Sequence, residues 1–178
     1  MTDFAFCPKC AAPLADRVVD GEARKACSAG CGFVHYDNPT PVVAVVVEHE
    51  GAVVLAHNRA WPQRSFYGLI TGFLERSESP AQCAVREVKE ELDLECGEPT
   101  LIGVYPFERM NQVIIAYHAV ADGEVRLSPE LVDYRLYDLA ALRCWPAGTG
   151  YALADWLRTR GHEPQFMDWP RPAAPAAE

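Results

Sequence analysis

The stretch from Gly72 to Leu94, G-F-L-E-R-S-E-S-P-A-Q-C-A-V-R-E-V-K-E-E-L-D-L, constrains this chain more than any other. It opens as a loop after an apolar run and closes as a helix. Ser79 is a good N-cap, Pro80 suits the first helical position, and Gln82 stands where a capping box takes Glu or Gln, so the helix is predicted to start at Pro80. Ala81, Val85, Val88 and Leu92 then recur at i, i+4, i+7 and i+11, a stripe predicted to face the core. Arg86, Glu87, Lys89, Glu90 and Glu91 fall outside it.

Glu87, Glu90 and Glu91 stand at i, i+3 and i+4, which crowds three carboxylates onto one patch at a cost of about 0.2–0.5 kcal/mol per like-charged pair. Glu90 and Glu91 also lie toward the helix C-terminus, where the dipole favours cations. A solvated face laced by Arg86–Glu90 and Lys89–Asp93 ion pairs is one explanation. A divalent cation is the other, because hard ions such as Mg²⁺ take one or two carboxylates and share their remaining positions with water and substrate phosphates.

The attached loop favours the second explanation. Gly72, Glu78, Arg86, Glu87, Val88, Glu90, Glu91 and Leu94 stand as G-x5-E-x7-R-E-U-x-E-E-x-x-U, where U is aliphatic, and this pattern resembles the signature of the Nudix hydrolases. Asp93 stands where that signature has Gly. The Gly would serve the helix C-terminus, and Asp tolerates left-handed backbone better than most residues.

Four cysteines sit near the N-terminus as Cys7-Pro-Lys-Cys10 and Cys27-Ser-Ala-Gly-Cys31. Two pairs at this separation form a zinc-ribbon pattern, a four-thiolate site whose metal supplies folding free energy that so short a segment cannot draw from its own core. His35 is given no metal role, since four thiolates satisfy zinc. Cys83, Cys96 and Cys144 read as small buried hydrophobes.

Residues 1–36 are therefore expected to form the ribbon, 37–41 a linker stiffened by Pro39 and Pro41, 42–161 the main domain, and 162–178 a Pro- and Ala-rich, disordered or loosely docked tail. Within the main domain, Val42 to Glu48 reads as a buried strand, with a turn into Ala52–His57. A loop from Asn58 to Arg64 and a strand from Tyr67 to Gly72 follow. After the helix come strands at Leu101–Phe107 and Gln112–Val120, a hairpin at Ala121-Asp-Gly-Glu, a strand near Tyr134–Tyr137, and a helix from Gly150 to Arg160 ended by Gly161. This order is similar to the Nudix fold, an α/β/α sandwich with a mixed sheet.

A net charge of −9 argues against non-specific nucleic-acid binding, which rests on basic residues neutralising phosphates. No run reaches membrane-spanning length and no secretory signal is visible, so a cytoplasmic protein is expected.

A zinc ribbon followed at once by such a domain resembles the NADH pyrophosphatase group. That resemblance implies a metal-dependent hydrolase that splits a nucleoside diphosphate linked to another moiety, a dinucleotide such as NAD(H) foremost. The group's S-Q-P-W-P-F-P-x-S motif corresponds here to Gly103-V-Y-P-F-E-R-M-N-Q, sharing only Pro106 and Phe107. An ADP-ribose, ADP-sugar or other nucleotide pyrophosphatase therefore stays open, as does a nucleotide-sensing or nucleic-acid-binding protein that uses the ribbon. The resemblance further implies Mg²⁺ or Mn²⁺ held by Glu87, Glu90, Glu91, Glu130 and the Thr71 carbonyl, with Glu78 and Arg86 orienting the helix. It places Phe73 as a ring stacking on a base, makes Tyr67, Phe107, Arg109 and Gln112 further pocket candidates, and suggests a homodimer. Trp61 reads as ordinary loop surface or packing.

Overall fold

The computed structural model describes residues 4–62 and 66–168. The last part of the loop expected at Asn58–Arg64 and the tail from 169 onward lie outside the described residues. Two compact units divide at Asn38–Pro39.

In the first unit β1 (Leu14–Val19), β2 (Glu22–Cys27) and β3 (Val34–His35) form an antiparallel sheet in the order β1-β2-β3. Asp20 and Gly21 make the first turn with φ of 54° and 85°, the left-handed pair that a two-residue hairpin favours. Among the described residues of this unit, the buried apolar ones are Cys7, Ala26 and Cys27. So small a core cannot carry a fold by burial alone.

The second unit is built on two long neighbouring strands. β4 (Thr40–His49) turns at Glu50–Gly51 into β5 (Ala52–Asn58), and β6 (Ile70–Phe73) leads to α1 (Pro80–Leu92). The short β7 (Glu95–Cys96) precedes β8 (Thr100–Phe107), β9 (Gln112–Asp122), β10 (Leu131–Tyr137) and α2 (Thr149–Thr159). β4 and β9 run parallel and all other pairs are antiparallel, so the sheet is mixed.

Each central strand shares its outer edge. β4 pairs β6 through Val42–Val45 and β5 through Val47–His49, while β9 pairs β8 and then β7. Val43–Val47 is fully buried because a helix covers each face. Val43, Val45 and Val47 pack with Ala84, Val88 and Leu92 of α1, whereas Ala44 and Val46 pack with Leu153, Trp156 and Leu157 of α2. The expected α/β/α sandwich is the observed one, and among the described residues no helix is long and apolar enough to cross a membrane.

Three expectations need correction. The linker expected at 37–41 gives way at Thr40 to β4, whose Thr40 and Pro41 already pair with Gln112 and Val113 of β9. Asp122–Gly123 makes no hairpin with β9. The chain instead runs along the C-terminal end of α1, where Arg126 N–H donates to Leu92 O and Ser128 N–H to Glu91 O, and then pairs β10 with β5 at the far edge. The strand expected from Tyr67 starts only at Ile70, because Gly68 is occupied in a separate bridge to Ala56. Residues 162–168 dock on Cys144, whose N–H donates to Gln165 O and whose carbonyl accepts from Met167 N–H.

Candidate active site

α1 begins as its sequence demands. Ser79 accepts from Gln82 N–H and the Gln82 side chain accepts from Ser79 N–H, closing the capping box. Asp93 ends the helix at φ 57°, ψ 23°, the left-handed cap expected of it, with Lys89 Nζ 2.6 Å from its carboxylate.

The buried face keeps Val88 and Leu92 of the predicted stripe but not Ala81 and Val85. Cys83, Ala84, Glu87, Val88, Glu91 and Leu92 are buried, while Ala81 and Val85 are only half-buried beside Pro99 in a shallow groove. Packing of Cys83 and Ala84 under the sheet rotates the helix, and the rotation carries Glu87 and Glu91 inward to 8% and 7% exposure.

Three of the four glutamates are tied to one cation. Arg86 grips Glu78 with both prongs, Nε–H to Oε1 at 2.8 Å and Nη2–H to Oε2 at 3.0 Å, a fork geometry that fixes the loop to the helix. Its Nη1 donates to Glu87 at 2.6 Å and to Glu90 at 2.9 Å, and Nη2 to the Phe73 carbonyl at 3.1 Å. Arg86 beside it holds the Glu78 carboxyl down at about 2. Glu87 goes the other way, raised by burial despite Arg86.

Glu91 has no such partner. Among the described residues its side-chain oxygens receive no hydrogen bond and meet no cation. Burial, with Glu87, Glu130 and Glu90 nearby, pushes its carboxyl up to about 8. A buried acid in this state is poised for a cation, which would supply the missing counter-charge.

Gly72 explains how Glu87 fits. A Cβ at this position on β6 would fall on the Glu87 carboxyl group, so only glycine lets the carboxylate lie against the strand. The neighbouring Thr71 lines a cavity of about 480 Å³ with Val42, Trp61, Phe66, Phe107 and Trp145 among its walls. Arg109 and Gln112 line it as well. Strand alternation puts Phe73 on the same face as Thr71, paired with the cavity residue Val42 and 60% exposed.

At the ribbon, the four sulfurs of Cys7, Cys10, Cys27 and Cys31 lie within 4.8 Å of one another, with no disulfide among them. Cys7 and Cys31 are 3.4 Å apart and Cys10 and Cys27 3.5 Å. Tetrahedral zinc with bonds of about 2.3 Å needs sulfurs roughly 3.8 Å apart, and the cluster fits it with slight expansion. The Cys31 backbone N–H beside Cys27 lowers that thiol to about 6, while Cys10 and Cys31 in the same cluster are raised.

Residues 38–157 match the NUDIX domain family, and residues 5–37 match the Nudix N-terminal zinc ribbon. This chain is a Nudix-family protein. A NUDIX hydrolase crystal structure from Nitrosomonas europaea superposes with a TM-score of 0.75 at 27% identity, covering 91% of this chain and 96% of that one. An ADP-ribose pyrophosphatase from Streptococcus suis shares the fold at TM-score 0.57 and 18% identity, covering 74% and 100%. Curated relatives include two named NAD-capped RNA hydrolase NudC. The one from Stutzerimonas stutzeri is 31% identical over 83% of this chain and 52% of its own length. The one from Mycobacterium bovis is 32% identical over 62% of this chain and 37% of its own length. The Nudix chain described here thus spans about half or less of these relatives.

The structure gathers some of the residues picked out in the sequence and separates others. Glu78, Arg86, Glu87 and Glu90 form one hydrogen-bonded group, with Glu91 one turn from Glu87. Glu130 is exposed, and its charge reaches Glu91. Phe107, Arg109 and Gln112 share the cavity with Thr71. Tyr67 does not, being 8% exposed in the core with its hydroxyl donating to Asp133 at 2.6 Å. The aromatic walls Trp61, Phe66 and Trp145 went unrecognised. Only Gly68 carried a signal, since a Cβ there would crowd the Trp61 ring.

At the ribbon, freshly purified protein is expected to carry about one equivalent of zinc per chain, as a single four-thiolate site requires. Cys27→Ser should unfold the first 36 or so residues, read by amide exchange, while leaving the second unit protected. Zinc-free protein with an ordered ribbon would refute the metal's role.

Proposed function

We propose that this chain hydrolyses the pyrophosphate bond of a nucleoside diphosphate linked to a second moiety, with a dinucleotide such as NAD(H) as the foremost substrate. The observation that carries this reading is the buried pair Glu87 and Glu91, one helical turn apart, the second without a hydrogen-bonding or cationic partner among the described residues. Family membership and the printed names of the NudC relatives support it.

Glu87, Glu91, Glu90 and Glu130, with the Thr71 carbonyl, would hold Mg²⁺ or Mn²⁺. The ion, when bound, neutralises pyrophosphate charge and lowers the pKa of the attacking water. Arg86 keeps the Glu78 loop and Glu87 in place through its fork, so the carboxylates need no rearrangement when substrate arrives. The aromatic cavity orients one nucleoside and excludes water from it. Phe73, the exposed last residue of β6 and two residues on from the cavity residue Thr71, would offer a ring face for stacking. With only Pro106 and Phe107 of the longer motif present, ADP-ribose and ADP-sugars remain in the substrate class. A homodimer, implied by the resemblance, is checked by sedimentation.

The test is monophosphate formation across NADH, NAD, ADP-ribose, FAD, diadenosine polyphosphates, nucleoside triphosphates and an NAD-capped oligonucleotide, each with Mg²⁺ and Mn²⁺. A dinucleotide should lead. No product from any of them would overturn the enzyme reading and favour a nucleotide sensor.

Phe73→Ala should raise KM for the best dinucleotide about tenfold or more, from a stacking contribution of about 1–3 kcal/mol. Because the ring is exposed, thermal stability should barely change. Unfolding of the variant with unchanged KM would mean the ring serves packing.

A further inference from the structure

Glu130 is exposed, on a stretch between Gly123 and Leu131 that has no strand or helix. A carboxylate so placed has many positions open to it unless its backbone is held. Ser128 anchors one side through Glu91, and the Glu130 N–H donates to the Ser128 hydroxyl at 3.3 Å. The other side is held by Arg59. Its backbone N–H donates to the Glu130 carbonyl at 2.8 Å, and its Nε–H donates to the Pro129 carbonyl at 3.0 Å.

Arg59 is itself fixed. It follows Asn58, the last residue of β5, whose side-chain oxygen accepts from Ala60 N–H at 2.9 Å and whose carbonyl accepts from Trp61 N–H at 3.0 Å. Two consecutive peptide carbonyls thus meet donors from one residue on a folded turn. The same turn sets Trp61 in the cavity wall.

We propose that Arg59 is a positioning residue, which clamps the Pro129–Glu130 backbone and so keeps the Glu130 carboxylate beside Glu91. This rests on the reading of Glu130 as part of the cation site. A planar guanidinium suits the task because Nε points along a fixed direction, whereas a Lys ammonium on its flexible stem does not. The clamp joins the turn that builds the nucleoside cavity to the loop that completes the carboxylate cluster.

The test is a double-mutant cycle of Arg59→Ala and Glu130→Gln in the zinc-loaded full chain. It reads kcat, KM and the Mn²⁺ concentration that gives half of the cation-induced rise in Tm. Ala keeps the backbone contact and removes the side-chain one. Arg59→Ala should lower kcat about tenfold, since small misplacements at a distance from the chemistry have effects of this size, and leave KM within about twofold. The Mn²⁺ midpoint should rise severalfold, and the double variant should be no worse than Glu130→Gln alone. Arg59→Lys should resemble Arg59→Ala. Wild-type kcat and Mn²⁺ midpoint in Arg59→Ala, with Glu130→Gln impaired, would overturn the clamp alone. Losses that multiply in the double variant would overturn it too. A silent Glu130→Gln would overturn both the clamp and the role of Glu130, while leaving the Glu91 site to be judged by its own variant.

Discussion

Glu91→Gln should lower turnover by about a thousandfold or more while making the protein without Mg²⁺ or Mn²⁺ more stable at neutral pH. The loss follows from removing a carboxylate on which cation clamping and water activation both depend. The gain follows from burial. In the unfolded chain a glutamate titrates near 4.5, and in the folded chain burial and its acidic neighbours carry Glu91 to about 8. A raised folded value gives a stabilising contribution that is full below 4.5 and disappears as pH rises through 8. Wild-type protein freed of Mg²⁺ and Mn²⁺ but keeping its ribbon zinc should therefore lose up to a few kcal/mol between these limits. Gln carries no charge, so the variant should not show that fall. Denaturant titrations at pH 5, 7 and 8.5 check this, with the two proteins diverging upward in pH. Added Mn²⁺ should raise the Tm of wild type and do little to the variant. Parallel curves and equal turnover would make Glu91 an ordinary residue of the helix.

Gly72→Ala should be nearly as damaging to activity and, unlike Glu91→Gln, should destabilise. Its added methyl group lands on the Glu87 carboxyl, so the strand must shift or Glu87 must leave. Overpacking costs about 1–3 kcal/mol where the strand has to move, a Tm drop of roughly 2–12 °C for a chain of this length, and less where only the end of the Glu87 side chain swings away. Turnover should fall at least about a hundredfold, because the displaced carboxylate is a proposed cation ligand. Combining Gly72→Ala with Glu87→Ala should recover most of the lost stability and none of the activity. If Gly72→Ala is active, or if Glu87→Ala fails to relieve it, the close approach is not what the glycine is for.

Much of this was legible in the sequence where chemistry is local. Ser79, Pro80 and Gln82 fixed the start of α1, and Asp93 supplied a left-handed cap in place of glycine, because caps depend on neighbouring backbone groups alone. The ribbon cysteines were legible for the same reason. The face of α1 was misread because Glu87 and Glu91 were counted as polar and therefore outward. A second period, Cys83, Ala84, Glu87, Val88, Glu91 and Leu92, was present and describes the buried face once two carboxylates are allowed inside.

What depends on distant parts of the chain was not legible. The hairpin expected at Asp122–Gly123 failed because the turn residues say only that the chain bends. Contacts with Leu92 and Glu91 decide where it goes next. Likewise, apart from Gly68, nothing near Trp61, Phe66 or Trp145 announces that loops far apart in sequence close one cavity. The shared edges of β4 and β9 are of the same kind, since pairing partners follow from topology.

The most direct test is the number of protons released when Mn²⁺ binds at pH 7, measured calorimetrically in buffers of different ionisation enthalpy. With its carboxyl at about 8 in the cation-free protein, Glu91 holds a proton at pH 7 and must give it up to coordinate. Wild type should release close to one proton more per chain than Glu91→Gln, a difference falling toward zero at pH 9, and Glu91→Gln should also bind Mn²⁺ far more weakly. Undiminished Mn²⁺ affinity and the same proton count in Glu91→Gln would contradict a role for Glu91 in holding the cation.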